Sequence, residues 1–133
     1  MSDRICLIVD DEPSIRTYLR AILLKERLQS LEAEDAAQAF KIVQKLGGRL
    51  DLIVSDIKMP GDMDGVDLAY SVRNAFPDVP VILISGYGDE EAVKRAVSCF
   101  ELIRKPFVPE AILASARKAM KNATDKLDRS AGA

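Results

Sequence analysis

One feature constrains the fold of this chain more than any other: short apolar runs alternate strictly with longer segments of helical period. The runs are Ile5–Val9, a weaker one at Ser30–Glu34, then Leu50–Ser55, Val79–Ile84 and Leu102–Arg104. Between them, Ser14–Leu28 sets Ile15, Tyr18, Leu19, Ile22 and Leu23 at the spacing of one buried helical face. Ala36–Leu46 repeats this through Ala39, Phe40 and Val43 and stops at Gly47-Gly48. Val66–Phe76 is a third helix, closed by Pro77, and Glu90–Ser98 a short fourth with Val93 and Val97 as its apolar positions. The fifth starts at Pro109 and continues through Ile112, Leu113, Ala116 and Met120. From Thr124 the residues are small and polar, so a domain over residues 1–123 and a flexible tail over 124–133 are expected. Continuous apolar strands alternating with helices call for an α/β fold, a parallel sheet covered on both faces.

The 133 residues suit one domain, and 48% hydrophobic with 30% charged residues is an ordinary globular balance. A formal charge of -2 gives no global field toward nucleic acid or an anionic membrane, and Arg117, Lys118 and Lys121 read as a solvated helix face. No apolar run is long enough to span a bilayer, and Met1-Ser2-Asp3-Arg4 leads into the first run without a cleavage-site pattern. Cys6 and Cys99 lie among apolar neighbours and read as buried, reduced thiols of a cytoplasmic protein. With no histidine, the sequence offers neither a phosphohistidine nor a His-metal site nor a Ser–His–Asp triad.

The residues that close each run carry the informative pattern. Ile5–Val9 leads into Asp10-Asp11-Glu12, Leu52–Ser55 into Asp56, Val81–Ile84 into Ser85-Gly86, and Leu102–Arg104 into Lys105-Pro106. A parallel sheet gathers all these strand ends along one edge. Carboxylates packed there repel, and burial raises at least one pKa. A hard divalent cation relieves the repulsion, and oxygen ligands with room for water suit Mg²⁺, with Mn²⁺ as a substitute. Beside such a cation an aspartate can attack phosphorus, while a lysine and a hydroxyl stabilise the phosphoryl oxygens.

Together, Asp10-Asp11, Asp56-Ile57-Lys58-Met59-Pro60, Ser85-Gly86 and Lys105-Pro106-Phe107 resemble the receiver domain of bacterial response regulators, over about residues 4–122. The resemblance implies a flavodoxin-like (βα)5 fold with strand order 2-1-3-4-5. It implies that Asp56 is the phosphoacceptor and that Asp10, Asp11, Asp56 and the main-chain carbonyl of Lys58 hold the metal. Lys105 pairs with the phosphoryl group and precedes a cis Pro106, Ser85 is the switch hydroxyl, and Gly86 offers its N–H. Ile57, Lys58 and Tyr87 contact or tune the phosphoryl site; the bulk of Lys58 and Tyr87 implies a shielded, long-lived acyl phosphate. Where the family usually carries a switch aromatic stands Leu102, with Tyr87 and Phe100 as candidates to replace it. The Met59–Gly65 loop is one residue longer than the commonest form.

The implied function is two-component signal transduction without enzymatic turnover beyond the domain's own phosphorylation and dephosphorylation. A sensor histidine kinase or phosphotransfer protein, docking near Ile15, is the expected donor. A protein target is expected to read the fourth helix, fifth strand and fifth helix of a monomer or weak dimer, with no output domain, direct nucleic-acid contact or membrane contact. The alternatives are a phosphate sink or a phosphorylation-independent interaction module. An aspartyl-phosphate phosphatase would need a second carboxylate and a cap, and a flavin site would need a phosphate-cradling first loop. Read alone, Asp10-Asp11-Glu12 is equally a helix N-cap with an acidic first turn, and Ser85-Gly86 an ordinary turn.

Overall fold

The computed structural model describes the backbone of residues 4–132 and the side chains of residues 4–125; Met1–Asp3, the residues that bear on a leader, and Ala133 lie outside the described residues. The elements run β1 (Arg4–Val9), α1 (Pro13–Leu24), β2 (Leu28–Ala33), α2 (Ala36–Lys45), β3 (Leu52–Asp56), α3 (Gly65–Ala75), β4 (Val81–Ser85), α4 (Glu90–Ala96), β5 (Glu101–Arg104) and α5 (Pro109–Gly132). All strand pairs are parallel, in the order β2-β1-β3-β4-β5. This is the flavodoxin-like arrangement expected from the sequence.

Side-chain alternation along each strand sorts the core into two layers. Leu7, Val9, Ile53 and Leu83 face α2, α3 and α4, whereas Cys6, Ile8, Val54 and Ile84 face α1 and α5. Each fully buried Leu or Ile in these layers contributes roughly 1.5–3 kcal/mol. The chain leaves β1 outward to β2, then crosses back to β3. The gap between the C-terminal ends of β1 and β3 is therefore the topological switch point.

Several boundaries differ from expectation for local reasons. Helix α1 stops at Leu24 rather than Leu28, because Arg27 takes a left-handed φ of 60° and Leu28 opens β2, fully buried. On the same helix Arg16 is buried, while Tyr18 is exposed and stacks on Phe107 with centroids 6.1 Å apart. Strands β3 and β4 each reach one residue further, so Asp56 and Ser85 are the last strand residues rather than the first loop residues. Helix α4 buries Ala96, and Val97 lies beyond its end, exposed, ahead of Ser98 at φ 71°. Cys6 is buried as expected, but Cys99 is exposed in the turn after α4, and both are free thiols. The α5 backbone stays helical through Gly132, across the segment expected as a flexible tail, whose side chains from 126 onward lie outside the described residues.

Candidate functional site

The loop from β1 to α1 is held by its own backbone and by one buried guanidinium. Asp10 Oδ1 accepts the Glu12 N–H at 2.9 Å, and the N-cap of α1 is Glu12, whose side chain makes no capping bond. The two aspartates are thus not spent on the helix N-terminus. Arg16 Nη1 donates to the Asp10 carbonyl at 2.7 Å and its Nε to Glu32 Oε1 at 2.8 Å, which fixes Asp10 against α1 and β2. No sequence signal pointed to Arg16, because a basic residue next to an apolar stripe ordinarily faces water.

Asp10 and Asp56 are buried at 1% and 7% exposure, and Asp11 is exposed. One carboxylate oxygen from each of the three lies within 4.8 Å of the others. Asp10 Oδ2 is buried without any hydrogen-bond partner, an expensive state for a charged oxygen. Burial, against the opposing Glu12 N–H, holds the Asp10 carboxyl above the usual carboxylate range. Asp56 is pushed up to about 6, first by burial and then by Asp10, although Lys105 pulls the other way. An orphaned buried oxygen and three converging carboxylates make a donor set that fits a hard divalent cation.

Lys105 Nζ lies 3.2 Å from Asp56 Oδ1. Burial alone would lower the lysine pKa, but the Asp56 and Asp10 carboxylates outweigh it and hold the ammonium above its ordinary value. The Lys105–Pro106 bond is cis, as the resemblance implied, and the Lys105 N–H donates to the Ser85 carbonyl at 2.8 Å, tying the ends of β4 and β5 together. Asp11, Asp56, Lys58, Gly86, Tyr87 and Lys105 line one open cavity of about 530 Å³.

The remaining expected residues divide. Ser85 is buried at the end of β4, beside Gly86. Lys58 is exposed at the cavity wall, and Tyr87 also lines it but is wholly exposed. The side chain of Ile57 is buried in the core layer under α3, and its N–H donates to the Ile84 carbonyl at 3.0 Å; neither faces the cavity. Leu102 packs on that same layer, while Phe100 sits edge-on to Tyr70 at 5.0 Å with Arg73 over both rings. Gly65 starts α3, and a Cβ there would come 2.2 Å from the Asp56 carbonyl oxygen, so the helix can seat against the end of β3 only with glycine.

Asp89 was missed. It is 6% exposed, lines the cavity, and its Oδ2 accepts the Gly86 N–H at 2.6 Å. In sequence, Asp89-Glu90-Glu91 reads only as the acidic start of a helix.

Comparison with known proteins agrees with this geometry. The chain is 35% identical over 116 residues to the C4-dicarboxylate transport transcriptional regulatory protein DctD of Pseudomonas aeruginosa, covering 86% of this chain and 24% of that protein. It is 34% identical over 103 residues to the sensor kinase CckA of Brucella abortus, covering 76% and 11%. It thus spans a quarter or less of the curated relatives it matches. The crystal structure of a two component transcriptional regulator AraC from Clostridium phytofermentans superposes with a TM-score of 0.80 at 30% identity, over 92% of this chain and 96% of that one. Residues 6–117 match the family model described as the response regulator receiver domain, a stretch reaching from β1 into α5. By fold and by sequence, the chain belongs to the response regulator receiver domain family of two-component systems.

Proposed function

We propose that Asp56 is the phosphoacceptor of this receiver domain and that Asp10, Asp11, Asp56 and the Lys58 main-chain carbonyl hold Mg²⁺, with Mn²⁺ able to replace it. The single observation that carries this is the buried, partnerless Asp10 Oδ2 beside the raised Asp56 carboxyl, a cluster under-compensated by Lys105 alone. Mg²⁺ held by these residues would supply positive charge to let Asp56 ionise and to offset charge on the incoming phosphoryl oxygens. The Asp56 carboxylate oxygen bonds to phosphorus as the donor's P–N bond breaks and its electron pair leaves with the nitrogen. Lys105, now paired with the carboxylate, is within reach to follow the negative charge onto the phosphoryl group. The Ser85 hydroxyl and the Gly86 N–H are the two further donors at the adjacent strand end, and Lys58 and Tyr87 set how easily water enters.

The donor is a sensor histidine kinase or a phosphotransfer protein, whose docking surface includes α1 near Ile15. The domain itself turns over no other substrate. Its readout is a protein target on α4, β5 and α5, and the domain acts in the cytoplasm as a monomer or weak dimer, without direct contact to nucleic acid or membrane. Support for the last point is that two of the α5 cations are engaged: Arg117 pairs with Glu26 at 2.9 Å and Lys118 with Glu101 at 3.6 Å. Among the described residues no helix is long and apolar enough to cross a membrane. Met120 is the last α5 side chain in the core among the described residues, which supports a receiver unit of residues 1–123, although the α5 backbone runs on as helix through Gly132.

Incubation with Mg²⁺ and phosphoramidate or acetyl phosphate should add one phosphoryl group by intact mass, and Asp56→Asn should remove that gain. A parent protein that stays unmodified, or an Asp56→Asn variant that is still modified, refutes the assignment.

A further inference from the structure

Gly86 lines the cavity that holds Asp56, and its N–H is already taken. Asp89 Oδ2 accepts it at 2.6 Å, a short, charge-assisted bond. Asp89 stands at the N-cap position of α4, where an aspartate ordinarily accepts a helix N–H, yet its side chain makes no capping bond. Instead it folds back under the loop. It is 6% exposed and lines the same cavity as Asp56 and Lys105. Gly86 lies against both side chains: a Cβ at this position would be 3.7 Å from Asp89 Oδ2 and 3.7 Å from Lys105 Cδ.

In the proposed function the Gly86 N–H is a donor to the phosphoryl oxygens on Asp56, and this carboxylate holds it. We propose that Asp89 is a positioning residue of the phosphoacceptor site, an internal carboxylate that occupies the Gly86 N–H in the unmodified protein and is displaced by the incoming phosphoryl group. The inference rests on Asp56 being the phosphoacceptor. It adds a brake: every donor, protein or small molecule, must compete with a resident anion for one hydrogen bond. A negative group so near Asp56 also opposes the arrival of further negative charge, in the same direction.

Phosphoramidate alone balances the transfer. The Asp56 carboxylate oxygen bonds to phosphorus as the P–N bond breaks, and the electron pair leaves with the nitrogen, which already carries its protons and departs as ammonia. The experiment measures initial rates of Asp56 phosphorylation against phosphoramidate concentration, at saturating Mg²⁺, for the whole chain and for Asp89→Ala and Asp89→Asn.

Freeing one charge-assisted bond should lower the half-saturating phosphoramidate concentration about fivefold in Asp89→Ala and about twofold in Asp89→Asn, which keeps an acceptor oxygen but not the charge. The maximal rates should agree within about twofold, because the competing contact is lost equally from bound donor and transition state. A purely structural staple of the loop predicts the reverse, lower maximal rates with half-saturation unchanged or raised, and that result overturns the proposal. Equal gains in the two variants overturn it too, since charge without donor occupancy would then suffice. If Asp89→Ala does not fold, Asp89→Asn decides alone, and an unmoved half-saturation refutes the brake. Failure of the parent to gain a phosphoryl group is a separate result, which removes the Asp56 assignment and this inference with it.

Discussion

Two acidic clusters lie a few residues apart in this molecule, and they are built on opposite principles. Asp64 and Asp67 at the start of α3 form a reciprocal capping box: Asp64 Oδ1 accepts the Asp67 N–H and Asp67 Oδ2 the Asp64 N–H, each at 2.9 Å. Arg95 of α4 spans both carboxylates, pairing with Asp64 and lying 3.0 Å from Asp67. The Asp64 N–H and then Arg95 hold the Asp67 carboxyl below its ordinary range. In the other cluster Asp56 pairs with Lys105 and Asp10 Oδ1 accepts one backbone N–H, but Asp10 Oδ2 is buried without a partner among the described residues, and Asp10 and Asp56 are raised rather than lowered. Where charge is locally satisfied it shapes the backbone. Where it is left unsatisfied inside a cavity it awaits something from outside, and that contrast, rather than acidity itself, marks the functional cluster.

The largest expected break in the comparison is electrostatic. Asp56 ionises near its ordinary value in the unfolded chain but at about 6 in the metal-free folded protein. Below the unfolded value both states hold the proton, and the group contributes no difference. As pH rises, the unfolded state releases the proton first, so the contribution of Asp56 to stability falls until the folded carboxyl has also ionised. The full loss is about 3 kcal/mol. Asp56→Asn, measured by denaturation without metal, should therefore gain on the parent by about that amount between pH 4 and pH 7. A gap that stays flat with pH would show that burial does not strain this carboxylate. Adding Mg²⁺ at pH 7 should raise the parent's Tm and leave Asp56→Asn little changed.

Next in size is the metal itself. Asp11→Ala should weaken Mg²⁺ at least about tenfold, roughly 1.4 kcal/mol, by loss of one of three converging carboxylates. Calorimetric titration decides it, and an unaltered affinity would take Asp11 out of the site.

Much of this contrast was legible in the sequence, but unevenly. Asp10, Asp11, Asp56, Ser85 and Lys105 were found because each ends an apolar run, and a parallel sheet must gather such ends. The sheet order came from the same residues through family resemblance. The features that stayed hidden depended on rotamers and local turns rather than pattern. Asp89 and Arg16 are charged residues turned inward to meet backbone groups, and nothing in their neighbours distinguishes them from solvated residues. The surplus apolar residue Leu28 drew the first helix four residues too far, since a left-handed turn at Arg27 has no sequence mark of the kind glycine supplies. Cys99 and Tyr18 were read as inward-facing from their apolar surroundings, though one sits in a turn and the other on the open side of α1.

On the satisfied side, Asp64→Ala should cost about 1 kcal/mol, the usual worth of an N-cap with its box partner. Urea denaturation should show it at pH 7. Asp64→Asn, which keeps an accepting oxygen, should recover most of that loss; an undiminished cost would mean that Asp64 acts through packing.

The smallest effect is expected at Arg95, and it tests whether the satisfied cluster also ties α4 to α3. The guanidinium side chain is 46% exposed, so its pairs with Asp64 and Asp67 are screened by solvent and salt. Arg95→Met keeps most of the stem packing and removes the charge, and should cost only about 0.5 kcal/mol, less at high salt. Hydrogen exchange gives the same contact a sharper reading. The Tyr70 hydroxyl donates to the Arg95 carbonyl at 2.6 Å, so the end of α4 keeps one tether to α3 after the ion pairs are gone. Amide protection should then fall most at Val93, whose N–H donates to the Asp89 carbonyl, and least at Val97, next to the tether. Uniform loss along α4 would mean that the guanidinium, not the tyrosine, docks the helix, and that the two acidic clusters are coupled through it.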